Sequence, residues 1–256
     1  MIRTLLIIAG ASFVLALACL GGAMALGGRD LANNGWTWTL RDSDGESIRF
    51  ERDDGRRSPV VTRTLAWTGG DALIVSLPGD VDYVQGPEAG VTLSGPQSIV
   101  DRVRLENGEL KMTDGDEVVY FQWNGRGGNA WSENDQLRIT VTAPSVKRFE
   151  VRGSSDITVA GYDQPSLAVA VSGSGSVTAT GRTDRLDVDI SGSGEADLAD
   201  LAAKTATVAV SGSGEAEINA TDQVDVDISG SGEVGLARRP ARLTQDITGS
   251  GEVRGA

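Results

Sequence analysis

The 256-residue sequence contains no histidine and only one cysteine, Cys19. Without histidine, the chain has no Ser-His-Asp or Cys-His relay, no imidazole general base and no His-ligated zinc or haem. Because Cys19 lies in an N-terminal apolar run, the rest of the chain has neither a disulfide framework nor a thiolate metal site. These absences leave carboxylate chemistry, the binding of a hard cation, or no chemistry at all, and we predict no cofactor.

Basic residues are also scarce, with 23 lysines and arginines against 36 acidic residues and a net charge of −13. Nucleic-acid binding depends on dense positive charge, so a nucleic acid is not an expected partner. The length is sufficient for one or two domains with a hydrophobic core.

Residues 1–26 are predicted to be a signal peptide or a membrane-anchoring helix. Residues 4–26 carry no charge and follow Arg3. Ala23-Met24-Ala25 has the small-x-small pattern of a signal-peptidase site, while an apolar run of this length also suits an uncleaved membrane span. Lipidation at Cys19 is a third alternative. In each case Arg3 stays in the cytoplasm and the rest is exported, so we expect a bacterial envelope protein that is anchored in the inner membrane, periplasmic or on the cell surface.

Residues 27–58 are predicted to form a charged tether with one hairpin, because both charge signs are dense and the apolar stretches are short. Two tryptophans in this stretch, Trp36 and Trp38, are open to two interpretations. They lie either at the membrane interface or in a strand of the folded domain.

Residues 59–256 are predicted to be all-β, because their apolar residues follow a period of two rather than 3.6. The first part, residues 59–146, is an N-terminal β region in which Asn107-Gly108 predicts a hairpin turn. Its alternating or β-branched runs cover residues 72–77, 81–85, 118–123 and 137–142. No long amphipathic helix is expected after Leu26, only a short turn near residues 98–102.

An internal repeat dominates residues 147–256. A Ser-Gly-Ser-Gly type motif recurs at intervals of 18 to 20 residues, with corner glycines Gly153, Gly173, Gly192, Gly212, Gly230 and Gly249. Apolar residues alternate on both sides of each motif, as with Val188 and Ile190 before one corner and Ala196 and Leu198 after it. Two short strands joined by a glycine corner at this period predict the coils of a parallel β-helix, about six in number.

The sequence resembles a known family. Leu137–Pro144, with its Val-Thr-Ala-Pro ending, precedes the Phe149–Ile157 segment and then the recurrent Val/Ile-Ser-Gly-Ser-Gly-Glu/Ser motif. This pattern resembles the head GIN domain of putative auto-transporter adhesins, over roughly Thr62 to Gly255. The resemblance implies a right-handed β-helix exported to the envelope, an adhesin role and no catalytic residues. One departure is the first corner, which reads Gly153-Ser154-Ser155-Asp156 instead of Gly-Ser-Gly-acid.

Acidic residues follow two patterns along the repeat. Asp187 and Asp189 occupy outward positions of a coil whose neighbours are neutral there, which predicts a role in solubility. The residues after the corners are acidic on four successive coils: Glu195, Glu215, Glu233 and Glu252. Like charges about 5 Å apart repel, so these four side chains either splay into water or share cations or basic partners. They are the candidate binding residues, although separate carboxylates in a row are not a calcium cage, and no metal site is predicted.

Basic residues gather in the predicted connectors between coils: Arg182, Arg185, Lys204, Arg238, Arg239 and Arg242. They make one edge mixed in charge, which suits an acidic glycan. The alternative is that they balance the neighbouring aspartates.

The predicted function is therefore that of a non-catalytic, envelope-exposed β-helical protein with an adhesin-like or surface-binding role. Enzymes on this fold need paired carboxylates in a cleft built from long loops, whereas these connectors are short. The expected partners are a glycan, an envelope protein or neighbouring copies, with the membrane added if residues 4–26 are uncleaved. Alternatives are a self-associating scaffold of the bactofilin type, favoured by the open edge of the last coil, and, less favoured, a carbohydrate-active enzyme.

Overall fold

The computed structural model describes residues 38–41, 47–52, 58–113, 117–124 and 127–255. The predicted N-terminal helix, within residues 1–26, lies outside this set. Within the described ranges, no helix has the length and apolarity needed to cross a membrane. The chain divides into two compact units, residues 1–56 with 115–132, and residues 57–114 with 133–256.

The first unit contains a four-stranded sheet. Its strands are β1 (Trp38–Arg41), β2 (Ser47–Arg52), β9 (Glu117–Asn124) and β10 (Gly127–Ser132), in the order β1-β2-β9-β10. β1 and β2 form an antiparallel hairpin, as do β9 and β10, and β2 pairs with β9 in parallel. Strands from two distant parts of the chain therefore build this sheet, and β1 and β2 come from the stretch predicted to be a tether.

The second unit is all-β apart from two short helical turns, α1 (Gln97–Val100) and a 3₁₀ turn at Glu133–Gln136. Its strands before the repeat are β3 (Val60–Leu65), β4 (Ala72–Ser76), β5 (Asp80–Gln85), β6 (Gly90–Pro96), β7 (Val103–Glu106), β8 (Glu109–Met112) and β11 (Arg138–Ala143). Those of the repeat are β12 (Arg148–Gly153), β13 (Asp156–Gly173), β14 (Ser176–Gly192), β15 (Glu195–Gly212), β16 (Glu215–Gly230), β17 (Glu233–Leu236), β18 (Arg242–Gly249) and β19 (Glu252–Gly255).

The repeat strands stack in parallel as a β-solenoid, which confirms the all-β prediction, with about five turns where about six coils were predicted. The six corner glycines are aligned from coil to coil, from Gly153 through Gly249. Each coil has an arm before the corner, an arm after it and a connector that leads to the next coil. The long strands β13 to β16 each run from the second arm of one coil through the connector into the first arm of the next.

The corner explains why the repeat needs glycine. Gly212 has a φ of 117°, which is accessible to glycine but strained for other residues. Its carbonyl accepts a hydrogen bond of 2.7 Å from the Ser231 amide of the next coil, and every corner from Gly153 to Gly230 repeats this bond. A Cβ on Gly212 would lie 2.5 Å from the carbonyl oxygen of Gly192. Close stacking at the corner thus excludes a side chain as well as straining its backbone.

Columns of apolar side chains fill the solenoid. Before the corner, the column through Phe149, Val169, Val188, Val208 and Val226 is in register and buried. After the corner, residues such as Ile157, Val177 and Ala196 are buried in the same way. Alternation with a period of two therefore places one face of every arm in the core and the other in solvent.

One coil of the stack precedes the repeat. β4 pairs with β12 and β5 pairs with β13, so residues 72–85 form a coil with the corner Leu77-Pro78-Gly79. This coil explains why the first repeat corner has serine where later ones have glycine. The Ser155 hydroxyl is buried and donates a hydrogen bond to the Leu77 carbonyl. A corner without the glycine motif escapes a search for that motif, although Leu73, Val75, Val81 and Tyr83 have the same alternation.

β11 and β8 continue the parallel stack at its N-terminal end, and the strands outside them, β6, β3 and β7, run antiparallel to their neighbours. β11 pairs with β5 on one side and β6 on the other, and β6 pairs with β3. β8 pairs with β4, and β7 completes the predicted hairpin, with φ angles of 51° at Asn107 and 84° at Gly108. Val100, Leu110 and Leu137 are fully buried beneath these strands, so the apolar core is sealed at this end.

Candidate functional site

The four candidate glutamates form a continuous row. Glu195, Glu215, Glu233 and Glu252 are direct neighbours on successive coils, with no neutral coil between them. The row continues towards the N-terminal end through Ser176, Asp156 and Asp80. The register expected from the spacing of the repeat thus extends over the whole length of the solenoid.

Partners neutralise the row at both ends. Arg254 forms ion pairs with Glu233 and, at 3.3 Å, with Glu252. At the other end Arg138 pairs with Asp80, and the Ser176 hydroxyl donates a 2.7 Å hydrogen bond to Asp156. In the middle, Glu195 and Glu215 have exposed side chains and no ion pair within the described residues. Among those residues, no three acidic or sulfur-bearing side chains converge in a way that could hold a metal ion.

Outward aspartates alternate with neutral residues on most of the other arm. Asp187 lies between Ala168 and Thr207, and Asp225 follows as the next acidic position of that column. The alternation ends at the last coil, where Asp246 is a direct neighbour of Asp227. Repulsion between like charges is therefore avoided along this face until its C-terminal end.

A groove of about 490 Å³ runs along the connectors of the solenoid. Four charged side chains line it as two ion pairs, each of which joins neighbouring coils. Arg182 donates two hydrogen bonds to the Asp163 carboxylate, at 2.9 and 2.6 Å. Lys204 lies 2.7 Å from an Asp184 carboxylate oxygen. We call this surface the connector groove, and its charged lining consists of Asp163, Arg182, Asp184 and Lys204.

These ion pairs shift the titration of the groove towards its charged forms. The hydrogen bonds from Arg182 lower the pKa of the Asp163 carboxyl, and the same contact raises the pKa of the Arg182 guanidinium. The hydrogen bond to Asp184 raises the pKa of the Lys204 ammonium. The charged forms of Asp163, Arg182 and Lys204 are therefore favoured, and the exposed side chains keep further hydrogen-bonding capacity for a ligand.

The groove contains only part of the predicted basic edge. It includes Arg182 and Lys204, while Arg185, Arg238 and Arg239 do not line it. Arg242 instead donates a 3.2 Å hydrogen bond to the Gln223 side chain. The two acidic partners escaped prediction from the sequence, although one signal was available. Asp163 and Arg182 are 19 residues apart, which is one period of the repeat, so their side chains are neighbours on adjacent coils.

The polar floor of the groove is fixed by the coil backbone. The Thr183 side chain is buried, and its hydroxyl lies 3.1 Å from the Arg185 carbonyl, to which it donates a hydrogen bond. Ala203, its neighbour on the next coil, is also buried. The groove therefore has a buried floor with charged walls, an arrangement that can bind a polar ligand by hydrogen bonding.

Several solved structures are similar to this chain, and one of them, with a TM-score above 0.5, agrees with this architecture. A putative adhesin from Bacteroides fragilis NCTC 9343 has a similar solved structure, with a TM-score of 0.58 at 17% identity over 77% of this chain and 97% of that chain. A putative adhesin from Parabacteroides merdae ATCC 43184 (15% identical, 81% of this chain and 99% of that one) and a putative lipid binding protein from Parabacteroides distasonis ATCC 8503 (19%, 81% and 99%) both have TM-scores of 0.44.

In sequence, no curated protein matches the chain. A family model described as putative auto-transporter adhesin, head GIN domain, matches residues 71–240. This range starts at the coil formed by β4 and β5 and covers the solenoid to its penultimate coil. Because the match covers well over half of the 256 residues, the chain belongs to the head GIN domain family.

Proposed function

We propose that this protein is a non-catalytic, adhesin-like protein of the bacterial cell envelope that holds a polyhydroxylated ligand, a glycan, in its connector groove. The observation that carries this proposal is the pair of inter-coil ion pairs along the groove, Asp163 with Arg182 and Asp184 with Lys204. Membership of a family of putative adhesins supports the same role.

The chemistry of the groove favours a sugar. Carboxylates accept hydrogen bonds from hydroxyl groups, and guanidinium and ammonium groups donate to hydroxyl or carboxylate oxygens. Because acid and base alternate along the groove, neighbouring hydroxyls of one ligand find both acceptors and donors. Both bases are already paired with carboxylates, so strong binding of a polyanion through charge alone is not expected.

Non-catalytic function is supported by the lowered pKa of the Asp163 carboxyl. Glycoside hydrolysis needs one carboxyl group that keeps a proton near neutral pH, which requires a raised pKa. Arg182 lowers the pKa of the Asp163 carboxyl instead. Asp163 is therefore suited to accept hydrogen bonds from a ligand rather than to donate a proton to a leaving group.

The proposal also includes export to the cell envelope and a right-handed solenoid. The uncharged segment of residues 4–26 supports placement in the envelope, either anchored in the membrane or released from it. Right-handed winding is proposed for the solenoid, because parallel crossover connections have this hand in nearly all known cases.

The test is a binding assay of the full chain, purified in detergent, against oligosaccharides that contain uronic acids, N-acetylhexosamines or neutral hexoses. Calorimetric titration of the best binder then compares the wild type with a variant that carries Arg182→Ala and Lys204→Ala. We expect the affinity to fall at least about tenfold, since the variant removes both charged hydrogen-bond donors of the groove.

A matched control removes the same charges elsewhere. Arg148→Ala with Lys111→Ala also deletes one arginine and one lysine, each ion-paired with a glutamate outside the groove. The control should bind the sugar as the wild type does. Equal losses in the two double variants, or no saturable binding of any oligosaccharide by the wild type, would refute the proposed glycan groove.

A further inference from the structure

The two ends of the solenoid differ in how their apolar columns are covered. At the C-terminal end, β16 is the one strand of the described ranges that pairs with β18, and every residue of β18 is exposed. Leu243 and Ile247 occupy inward positions next to Val224 and Ile228, which are fully buried. Their exposures are 43% and 36%, which makes them two of the four large hydrophobic side chains exposed within the described residues.

At the N-terminal end, among the residues the structure describes, the apolar columns are covered, and Val60 is the one large hydrophobic side chain exposed on the covering strands. There β11, β6 and β3 cover one arm and β8 and β7 cover the other, and the apolar residues beneath them are buried. A head-to-tail contact would join the open end of one copy to this sealed end of the next. An open-ended filament, as in the bactofilin-like alternative, therefore lacks a second apolar end face, whereas two open ends can cover each other.

We propose that β18 is a dimerisation strand, which pairs antiparallel with β18 of a second copy about a two-fold axis through Gln245. An edge strand offers unpaired amides and carbonyls, and a second copy of the same strand satisfies them. In this register Leu243 lies opposite the second copy's Ile247, and the reverse pair forms on the other side of the axis. The exposed apolar side chains of both copies are thereby covered.

The sequence of β18 favours this register over its neighbours. If one β18 strand were shifted by one residue relative to the other, inward residues would lie opposite outward ones, and Leu243 would pair with the second copy's Asp246. A shift of the axis to Asp246 would place the two Asp246 carboxylates opposite each other, which is unfavourable. With the axis at Gln245, the two Gln245 amides face each other and can exchange hydrogen bonds, because each amide has both a donor and an acceptor.

Charge complementarity supports the same arrangement. Asp246 follows directly on Asp227, so two carboxylates are neighbours at the open end. In the proposed register, Asp246 lies opposite the second copy's Thr244, and its diagonal neighbours, about 7–8 Å away, are the second copy's Arg242 and Asp246. The long arginine side chain is within reach of Asp246 and offsets the repulsion between the two carboxylates. Each copy thus supplies an arginine to an acidic pair of the other. Such a mutual exchange is what a two-fold interface requires.

The test uses disulfide formation to report the register, in full-length protein with Cys19→Ser. Gln245→Cys should give a disulfide-linked dimer under mild oxidation, because residues directly opposite in an antiparallel pair have Cα atoms about 4.5–5.5 Å apart. Thr244→Cys and Thr248→Cys are the controls. Their symmetry mates are displaced by two and six residues, about 8 Å and 20 Å away, which is too far for a disulfide.

We expect at least a tenfold higher yield of cross-linked dimer for Gln245→Cys than for either control. A higher yield for Thr244→Cys, or similar yields at all three positions, would overturn the proposed register. Co-association through the N-terminal segment in a detergent micelle would give similar yields at the three positions, so the comparison separates it from pairing of β18.

A second measurement addresses the dimer itself. Sedimentation in density-matched detergent should show a reversible dimer whose dissociation constant rises at least tenfold with Leu243→Asp. The matched control is Val60→Asp at the opposite end, where Val60 is 70% exposed, and it should leave the dimer unchanged. A monomeric wild type, an oligomer that grows without limit, or equal effects of the two substitutions would each refute the closed dimer.

Discussion

The stacked corners allow the two costs of a side chain, backbone strain and steric overlap, to be measured separately. Gly212 has both features, since its φ is 117° and an added Cβ would lie 2.5 Å from the Gly192 carbonyl oxygen. Gly153 has the strained backbone alone, because its φ is 102° and no atom lies within 4 Å of an added Cβ. Gly214 has the overlap alone, with Ile190 Cγ2 at 2.5 Å and a φ outside the positive range.

Substitution by alanine at these three positions should therefore have graded effects on the free energy of unfolding. Backbone strain at a φ of this kind costs about 1–3 kcal/mol, so Gly153→Ala should lose about that much. Overlap with a packed neighbour costs about 1–3 kcal/mol, which is the loss expected for Gly214→Ala. Gly212→Ala should lose about 2–6 kcal/mol, since it combines both. The entropy that glycine has in the unfolded chain is common to all three variants and cancels in the comparison.

The assay is urea unfolding of the full-length variants, followed by circular dichroism in the β-sheet region. Similar losses for Gly153→Ala and Gly212→Ala would show that the neighbouring coil does not exclude a side chain at the corner. No loss for Gly153→Ala would show that the corner backbone tolerates a side chain. Either result would refute the claim that strain and close stacking together require glycine at the corners.

Three further predictions concern the acidic row, the first corner and the buried tyrosines. Glu215→Gln removes a charge from between two like charges, so the unfolding temperature should stay unchanged or rise by up to about 3 °C, and a clear fall would contradict exposed, repelling carboxylates. Ser155→Ala leaves a buried carbonyl of the preceding corner unpaired and should cost about 1–3 kcal/mol in urea unfolding, whereas a neutral result would mean that this bond contributes nothing. Burial raises the pKa of Tyr83 and, more strongly, that of Tyr162 above the usual 10. Because the folded-state pKa is raised, their contribution to stability is complete below pH 10 and is lost as the pH rises above it. Tyr120 is the third tyrosine of the sequence, so its replacement in Tyr120→Phe leaves the two buried ones as the source of the tyrosinate absorbance at 295 nm. As the pH is raised, this absorbance should increase only together with loss of the β-sheet signal. Ionisation of the tyrosines before unfolding would refute their burial.

Regular stacking explains which parts of the fold are predictable from the sequence. Each glycine corner must match the one below it, so the motif repeats visibly and gives the register of every coil from Gly153 to Gly249. The coil before it uses Leu77-Pro78-Gly79, which performs the same turn without the motif. Pairing between β2 and β9 is equally hidden, because it joins segments about 70 residues apart in sequence and no local pattern signals it.

The candidate sites were predictable only in part, for a related reason: Arg182 and Lys204 were expected in the connectors, but their acidic partners and the pairing of β18 were not. The residue types in the buried columns are determined by contact with the neighbouring coils, so they indicate how the coils pack and do not indicate a function. Positions free of that constraint are the connectors and the last coil. In the connectors, Asp163 is the neighbour of Arg182 on the next coil. In the last coil, Gln245 occupies an inward position where the preceding coil has Val226. Packing does not explain why these residues differ from the repeat. A binding role for the connector groove explains Asp163 and Arg182, and a pairing role for β18 explains Gln245.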